Sequence, residues 1–178
     1  MKILITYSSS TGNTKKVAEG VFSSLSEKFT DVELKRVNEV DNIDEYDIII
    51  LGCWIDRGLP NAESKRFIET MRNKNVGFFI TLSARLESQH AKDALEKTEE
   101  LLQANGNKVF ARYMCLGRLN PKLIEYFKTL PKDHPHALTE QKLNWYKELE
   151  EHPNAEDIAK AQLVFLQGVE ELWNSKVE

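Results

Sequence analysis

The stretch Lys2-Ile3-Leu4-Ile5-Thr6-Tyr7-Ser8-Ser9-Ser10-Thr11-Gly12-Asn13-Thr14 decides how the rest of the chain reads. Its first half is an apolar run, Lys2 to Tyr7, which predicts a buried strand. The polar cluster that follows centres on Gly12 and predicts a tight loop. From Thr14 to Lys28 the apolar residues Val17, Val21 and Leu25, with Phe22 beside them, recur at helical spacing, so one stripe of a helix is buried. A strand that runs through a hydroxyl-rich turn straight into a helix is the first half of a strand–helix–strand unit. The helix N-terminus it creates carries unpaired amides and the positive end of a dipole, both of which attract anions.

The pattern repeats downstream. Val32 to Val37 alternates imperfectly with charges and reads as an edge strand. Asp47 to Cys53 is almost continuously apolar, as a central parallel strand covered on both faces must be. A loop from Trp54 to Asn61 leads to a helix over Ala62 to Arg72 that buries Phe67, Ile68 and Met71. Val76 to Leu82 is a fourth strand. Ser88 to Ala104 is a helix stopped by Asn105-Gly106-Asn107, and Lys108 to Cys115 is a fifth strand. Alternating strands and helices imply an α/β fold with right-handed crossovers, a parallel sheet and helices on both faces. Five such strands suggest the order 2-1-3-4-5, although pattern alone does not fix it. The texture changes after Leu116. Residues 117–153 carry a short helix from Pro121, a breaker-rich loop at 131–136 and a polar helix that Thr139 can cap. A last helix opens at Pro153-Asn154 and buries Ile158, Ala161, Phe165, Leu166, Val169 and Leu172. Residues 1–178 are expected to form a single domain, with 117–153 an appendage before the last helix.

Composition narrows the function classes. The chain has 178 residues, 24 Lys and Arg against 28 Asp and Glu, and a formal net charge of −4, which argues against a general nucleic-acid binder. A mean hydropathy of −0.46 and the lack of a long apolar run argue against a membrane span. Ile3-Leu4-Ile5 is too short for a signal-peptide core, so a cytoplasmic protein is expected. Cys53 and Cys115 form no Cys-x-x-Cys pair and are expected to be reduced, buried strand residues. His134, His136 and His152 match no structural zinc spacing, and no metal is expected.

In a sheet of this order, ligands sit beyond the carboxyl ends of the strands, near the point where the order reverses. The loop after strand 1, Ser9-Ser10-Thr11-Gly12-Asn13-Thr14, offers four hydroxyls and a run of amides. Other phosphate motifs fail on it. A Walker A loop needs Gly-Lys-Ser/Thr, and a dinucleotide fingerprint needs further glycines. Cys53 to Arg57 and Cys115 to Arg118 have the wrong spacing for a tyrosine-phosphatase loop. A Ser-x-Thr-Gly-Asn-Thr string after a strand ending in Tyr closely resembles the phosphate loop of flavodoxins. Gly117-x-x-Asn120-Pro121 and His152-Pro153-x-x-x-Asp157 also resemble a branch of small flavodoxin-domain proteins with an insertion before the last helix.

That resemblance implies a three-layer flavodoxin-like sandwich and FMN as cofactor. It assigns Ser9, Ser10, Thr11, Gly12, Asn13 and Thr14 to the FMN phosphate. It places the loop after strand 3 against the isoalloxazine ring, with Trp54 as the stacking candidate beside Ile55 and Arg57, and with Gly58 letting a backbone group approach flavin N5. The loop after strand 4, with Ser83, Ala84 and Arg85, would by position line the other side of the ring, with Ser83 and backbone groups near its pyrimidine edge. This third loop lacks the Tyr that many long flavodoxins carry there, which leaves the second stacking partner open. Arg57 and Arg85 beside Asp56 predict less negative charge around the reduced flavin than an acidic site provides.

The expected function is therefore electron transfer by bound FMN to or from a partner redox enzyme. Two alternatives stay open at this stage. One is an FMN-dependent NAD(P)H:quinone-type reductase, and the other is a flavin-free interaction module on the same fold. The charge is unevenly spread: residues 131–178 hold 5 basic and 10 acidic residues, while residues 1–130 hold 19 and 18. The acidity thus belongs to the appendage and last helix rather than to the expected flavin-binding core.

Overall fold

A computed structural model describes residues 1–175. Ile3–Tyr7 forms β1, every residue of which is buried. It lies between β2 (Val32–Arg36) and β3 (Ile48–Asp56), parallel to both. β3 pairs in parallel with β5 (Asn75–Leu82), and β5 with β6 (Lys108–Leu116). The five parallel strands thus run 2-1-3-5-6, which is the expected 2-1-3-4-5 once the short strand β4 is left out of the numbering.

β4 is the departure from expectation. Leu59–Pro60 turns back antiparallel on the end of β3, pairing Ile55 with Pro60 and Asp56 with Leu59. Trp54 and Ile55 therefore belong to β3 and not to a loop. The turn between the strands is Arg57-Gly58, at φ 51 and 80. Two consecutive positive φ values are the signature of a two-residue type I′ hairpin turn. Asn-Gly is the usual sequence there. Arg57 gives no such signal, so the hairpin is hidden from pattern reading.

Helices cover both faces, and strand alternation says which residues meet which. Ile48 and Ile50 of β3 face α1 (Asn13–Ser26) and α6 (Ala155–Asn174), packing with Val17, Val21, Leu25, Phe165 and Val169. Ile49, Leu51 and Cys53 face α2 (Ala62–Ile68) and α3 (Gln89–Gln103), packing with Phe67, Ile68, Met71 and Leu102. The alternating inward side chains of a doubly covered strand account for its unbroken apolar sequence. α2 ends four residues earlier than expected. Met71 is nevertheless fully buried, carried into the core by the turn whose amides bond to Phe67 and Ile68.

Caps follow the sequence closely. Ser88 Oγ accepts from the Ala91 amide, Thr139 Oγ1 from Lys142, and Asn154 Oδ1 from Glu156 and Asp157. Between β6 and α6 the chain forms α4 (Pro121–Lys128) and α5 (Glu140–Leu149). Both lie on the path that starts at the carboxyl end of the sheet.

Candidate functional site

α1 begins without a side-chain cap. Its N-cap is Gly12 at φ 89, and its first turn holds no acidic residue. The first-turn amides, which no intrahelical carbonyl can reach, therefore point out of the helix unneutralised. Ser9 shapes the loop above them, its Oγ accepting from the Gly12 amide at 3.1 Å. As an acceptor it still has its own proton to donate. Ser10 is exposed and Thr11 half-buried. Lys15 and Lys16 are exposed, and Lys15 lies 3.5 Å from Glu19. Arg36, at the end of β2, reaches the same loop, its guanidinium 3.5 Å from the Ser9 carbonyl. No local pattern connects Arg36 with this loop, because only the β1–β2 register brings it opposite Tyr7.

The last two residues of the loop are tied into the protein. The Asn13 side-chain amide donates to the Arg118 carbonyl at 2.8 Å. The Thr14 hydroxyl lies 2.9 Å from that of Thr81, and both are buried. Thr81 stands beside Trp54 in the sheet register. By strand alternation, Trp54 shares the face of Ile48 and Ile50, which is the α1 face. The half-buried indole therefore emerges on the same side of the sheet as the α1 N-terminus. Ile55 points the opposite way, into the α2–α3 core, and Ala84 packs there too. Neither side chain is free to line a ligand on the α1 face; what Ile55 and Ala84 can offer is backbone.

Beneath the loop a chain of hydrogen bonds fixes the end of β1. The Ser64 hydroxyl donates to Asn61, the Asn61 amide to Ser8 Oγ at 2.8 Å, and the Ser8 hydroxyl to Glu63 at 2.5 Å. Ser8, Asn61 and Ser64 are buried, so each needs these partners. None was singled out in the sequence.

The expected ring-side residues have definite positions. Gly58 is buried at the turn of the β3–β4 hairpin, where its positive φ suits glycine; a Cβ there would lie 3.4 Å from His90. Arg57 extends into solvent, 94% exposed, with Asp56 4.0 Å away. Arg85 is also exposed, but it is held: its guanidinium stacks 4.2 Å from the centre of the Trp145 ring. The Trp145 indole in turn donates to the Ser83 carbonyl at 2.8 Å. Trp145, from α5, is thus an unforeseen neighbour of the third loop. Nothing short of the tertiary contact reveals it.

Residues 4–166 match the Flavodoxin domain family. The chain belongs to the flavodoxin-domain family. Among its relatives is the flavodoxin-like domain-containing protein BilS of Clostridioides difficile (strain CD3), 32% identical over 170 residues, covering 92% of this chain and 93% of the relative. The fold is that of Flavodoxin 2 from Bacillus cereus, with a TM-score of 0.62 at 21% identity, covering 96% of this chain and 99% of the other. It is likewise that of a flavoprotein from Lactobacillus acidophilus solved in complex with FMN, with a TM-score of 0.50 at 24% identity, covering 64% of this chain and 92% of the other.

Several chemically reactive side chains of this flavodoxin-domain chain have structural roles away from these loops. Cys53 and Cys115 are free and buried; burial pushes the Cys53 thiol up to about 12 and the Cys115 thiol up as well. Burial likewise raises the Tyr113 phenol, which donates to the Asp157 carbonyl. His136 stacks on Phe127, and His152 pairs with Asp157 at 2.5 Å. Among the described residues, no group of His, Cys, Asp and Glu is arranged to hold a metal ion. Among the same residues, no helix is long and apolar enough to cross a membrane.

Proposed function

We propose that this protein binds FMN at the end of the sheet described above and passes electrons to or from a partner redox enzyme. The observation that carries the reading is the uncapped α1 N-terminus under a hydroxyl-rich loop, in a chain of the flavodoxin-domain family. Such an N-terminus is a ready site for a phosphate. FMN supplies the electron chemistry when bound, and the protein supplies binding, orientation and electrostatics.

Each residue then has a physical task. The first-turn amides and the Ser10 and Thr11 hydroxyls hold the phosphate. Ser9 does so through its remaining proton while fixing Gly12. Asn13 and Thr14 act in two capacities: each lies in the phosphate loop, and each anchors that loop to a neighbouring strand or segment. The Arg36 guanidinium adds positive potential at the loop's edge. Trp54 gives the ring an apolar face, worth about 0.5–1.5 kcal/mol beyond burial. Gly58 brings hairpin backbone to the ring without a side chain in the way. Ser83, Ala84 and Ile55 contribute backbone groups. With Arg57 in solvent and Arg85 stacked on Trp145, the positive charge expected beside the ring comes chiefly from Arg85. The buried, reduced cysteines suit a cytoplasmic setting.

The test is the visible absorbance spectrum of the purified protein with and without added FMN, followed by gel filtration. A flavin spectrum that co-elutes with the protein is the expected result. A protein that stays colourless after incubation with FMN overturns the reading and favours a flavin-free module.

A further inference from the structure

Residues 117–153 touch the site at two places. At its beginning, the Arg118 carbonyl accepts from Asn13 of the phosphate loop. Towards its end, Trp145 of α5 donates to Ser83 of the third loop. Gly117 makes the first contact possible: a Cβ there would lie 2.8 Å from the Asn13 amide nitrogen and 3.2 Å from its Cβ. One segment therefore spans from the loop at the phosphate end to the loop at the ring end.

Trp145 does more than anchor α5. The apolar anchors of this segment are Phe127, Ala137 and Leu149, all buried, Leu149 completely. Trp145 remains half-buried, with its nitrogen satisfied by Ser83 and a guanidinium stacked on its ring. A Trp N–H with a partner leaves the rest of the indole as a rigid apolar surface. An arginine stacked on it enlarges that surface with a second flat group and gives it a positive charge. This composite stands at Ser83, two residues beyond Thr81. Thr81 neighbours Trp54 in the sheet and bonds Thr14 of the phosphate loop. The third loop itself offers no aromatic residue, only Ser83, Ala84, Arg85 and Leu86.

We infer that Trp145, backed by Arg85, is the second aromatic wall of the flavin-ring site, contributed by the segment between β6 and α6 in place of a third-loop aromatic. The inference rests on the FMN reading above. It makes that segment part of the cofactor site, and Trp145 a residue that positions and shields the ring opposite Trp54.

The test uses the full chain and reads flavin fluorescence, which an indole in contact quenches and a phenyl ring quenches far less. FMN is bound to Trp54→Phe and to the double variant Trp54→Phe/Trp145→Phe, both of which keep a ring in place for folding. The expected result is that FMN on Trp54→Phe stays strongly quenched and brightens several-fold in the double variant. In parallel, Trp145→Leu weakens FMN and riboflavin alike, by about three- to tenfold, the loss of one stacked ring. Equal brightness of the two Phe variants, with wild-type affinity in Trp145→Leu, overturns the assignment. A wild-type protein that binds neither flavin overturns the FMN reading itself, whereas normal wild-type FMN binding with an unresponsive Trp145 overturns only this inference.

Discussion

The Asn13 side chain donates to the Arg118 carbonyl across 105 residues of sequence, and the contact closes the Ser9–Thr14 loop against the segment that leaves β6. Gly117 stands immediately before that carbonyl, and its own amide bonds to Leu82 at the end of β5. The loop after β1, the end of β5 and the start of the β6–α6 segment are thus one hydrogen-bonded unit. A residue in the loop after β1 owes its orientation to a backbone group far away in the chain.

Gly117→Ala tests that unit. The added methyl meets the Asn13 side chain at 2.8 Å, closer than a Cβ can stand, so Asn13 must shift from its place against the Arg118 carbonyl. Strain of this kind costs about 1–3 kcal/mol. The expected outcome in urea unfolding is a lower midpoint with an unchanged slope. FMN affinity should fall more than riboflavin affinity, because the displaced residue belongs to the loop proposed to hold the phosphate.

Thr14 and Thr81 make a second test, free of any cofactor. Thr14→Val leaves the buried Thr81 hydroxyl without its partner, at a cost of about 1–3 kcal/mol. Thr14→Val/Thr81→Val removes both groups and should recover part of that loss. Apo-protein unfolding of the two singles and the double, treated as a double-mutant cycle, gives the coupling. Additive losses would show that the two hydroxyls do not interact.

At the opposite end of the sheet, Glu33 is held by Lys2 at 2.8 Å, Lys35 at 2.6 Å and the Tyr46 hydroxyl at 2.7 Å. These hydrogen bonds, the one from Lys2 foremost, lower its carboxyl from an ordinary 4.5 to about 2. A carboxyl depressed in the folded state stabilises above its unfolded value and loses that contribution as pH falls towards the folded one. Wild type should therefore exceed Glu33→Gln in stability at pH 7. The gap should narrow from about pH 4.5 downwards and be nearly gone near pH 2, as followed by urea midpoints across the range. Because these groups are partly exposed, added salt should shrink the gap.

Cys53 and Cys115 should be silent to a thiol reagent at pH 8 in the folded protein, since burial both blocks access and disfavours the thiolate. Both should react fully in urea. Rapid labelling of the native protein would contradict their placement in β3 and β6.

The sequence was most informative where one physical requirement dominates. Ile3–Tyr7 and Ile48–Cys53 must be apolar because helices cover both faces, and α1 must show Val17, Val21 and Leu25 on one stripe. The Ser9–Thr14 stretch was legible as a loop opening a helix because a glycine, hydroxyls and a following apolar stripe serve a local purpose. Legibility ended where the chain depends on distant partners. The β3–β4 hairpin turns at Arg57, a residue with no local preference for positive φ, so Trp54 and Ile55 read as loop. Once they lie in a strand, alternation sends Ile55 into the core and leaves Trp54 on the α1 face. Arg36, the Ser8–Asn61–Ser64 chain and Trp145 were all invisible for the same reason: each is brought to the site by register or docking, and its own neighbourhood in sequence is ordinary.

The loop from Ser9 to Thr14 is proposed to hold the phosphate of FMN. Parallel titrations of FMN and riboflavin into wild-type protein and Thr11→Ala test it most directly. Wild type should bind FMN more tightly than riboflavin, and Thr11→Ala should lose FMN affinity by about tenfold, the value of a hydrogen bond to a charged group, with riboflavin unchanged. Equal losses for both flavins, or no preference for FMN in the wild type, would contradict it.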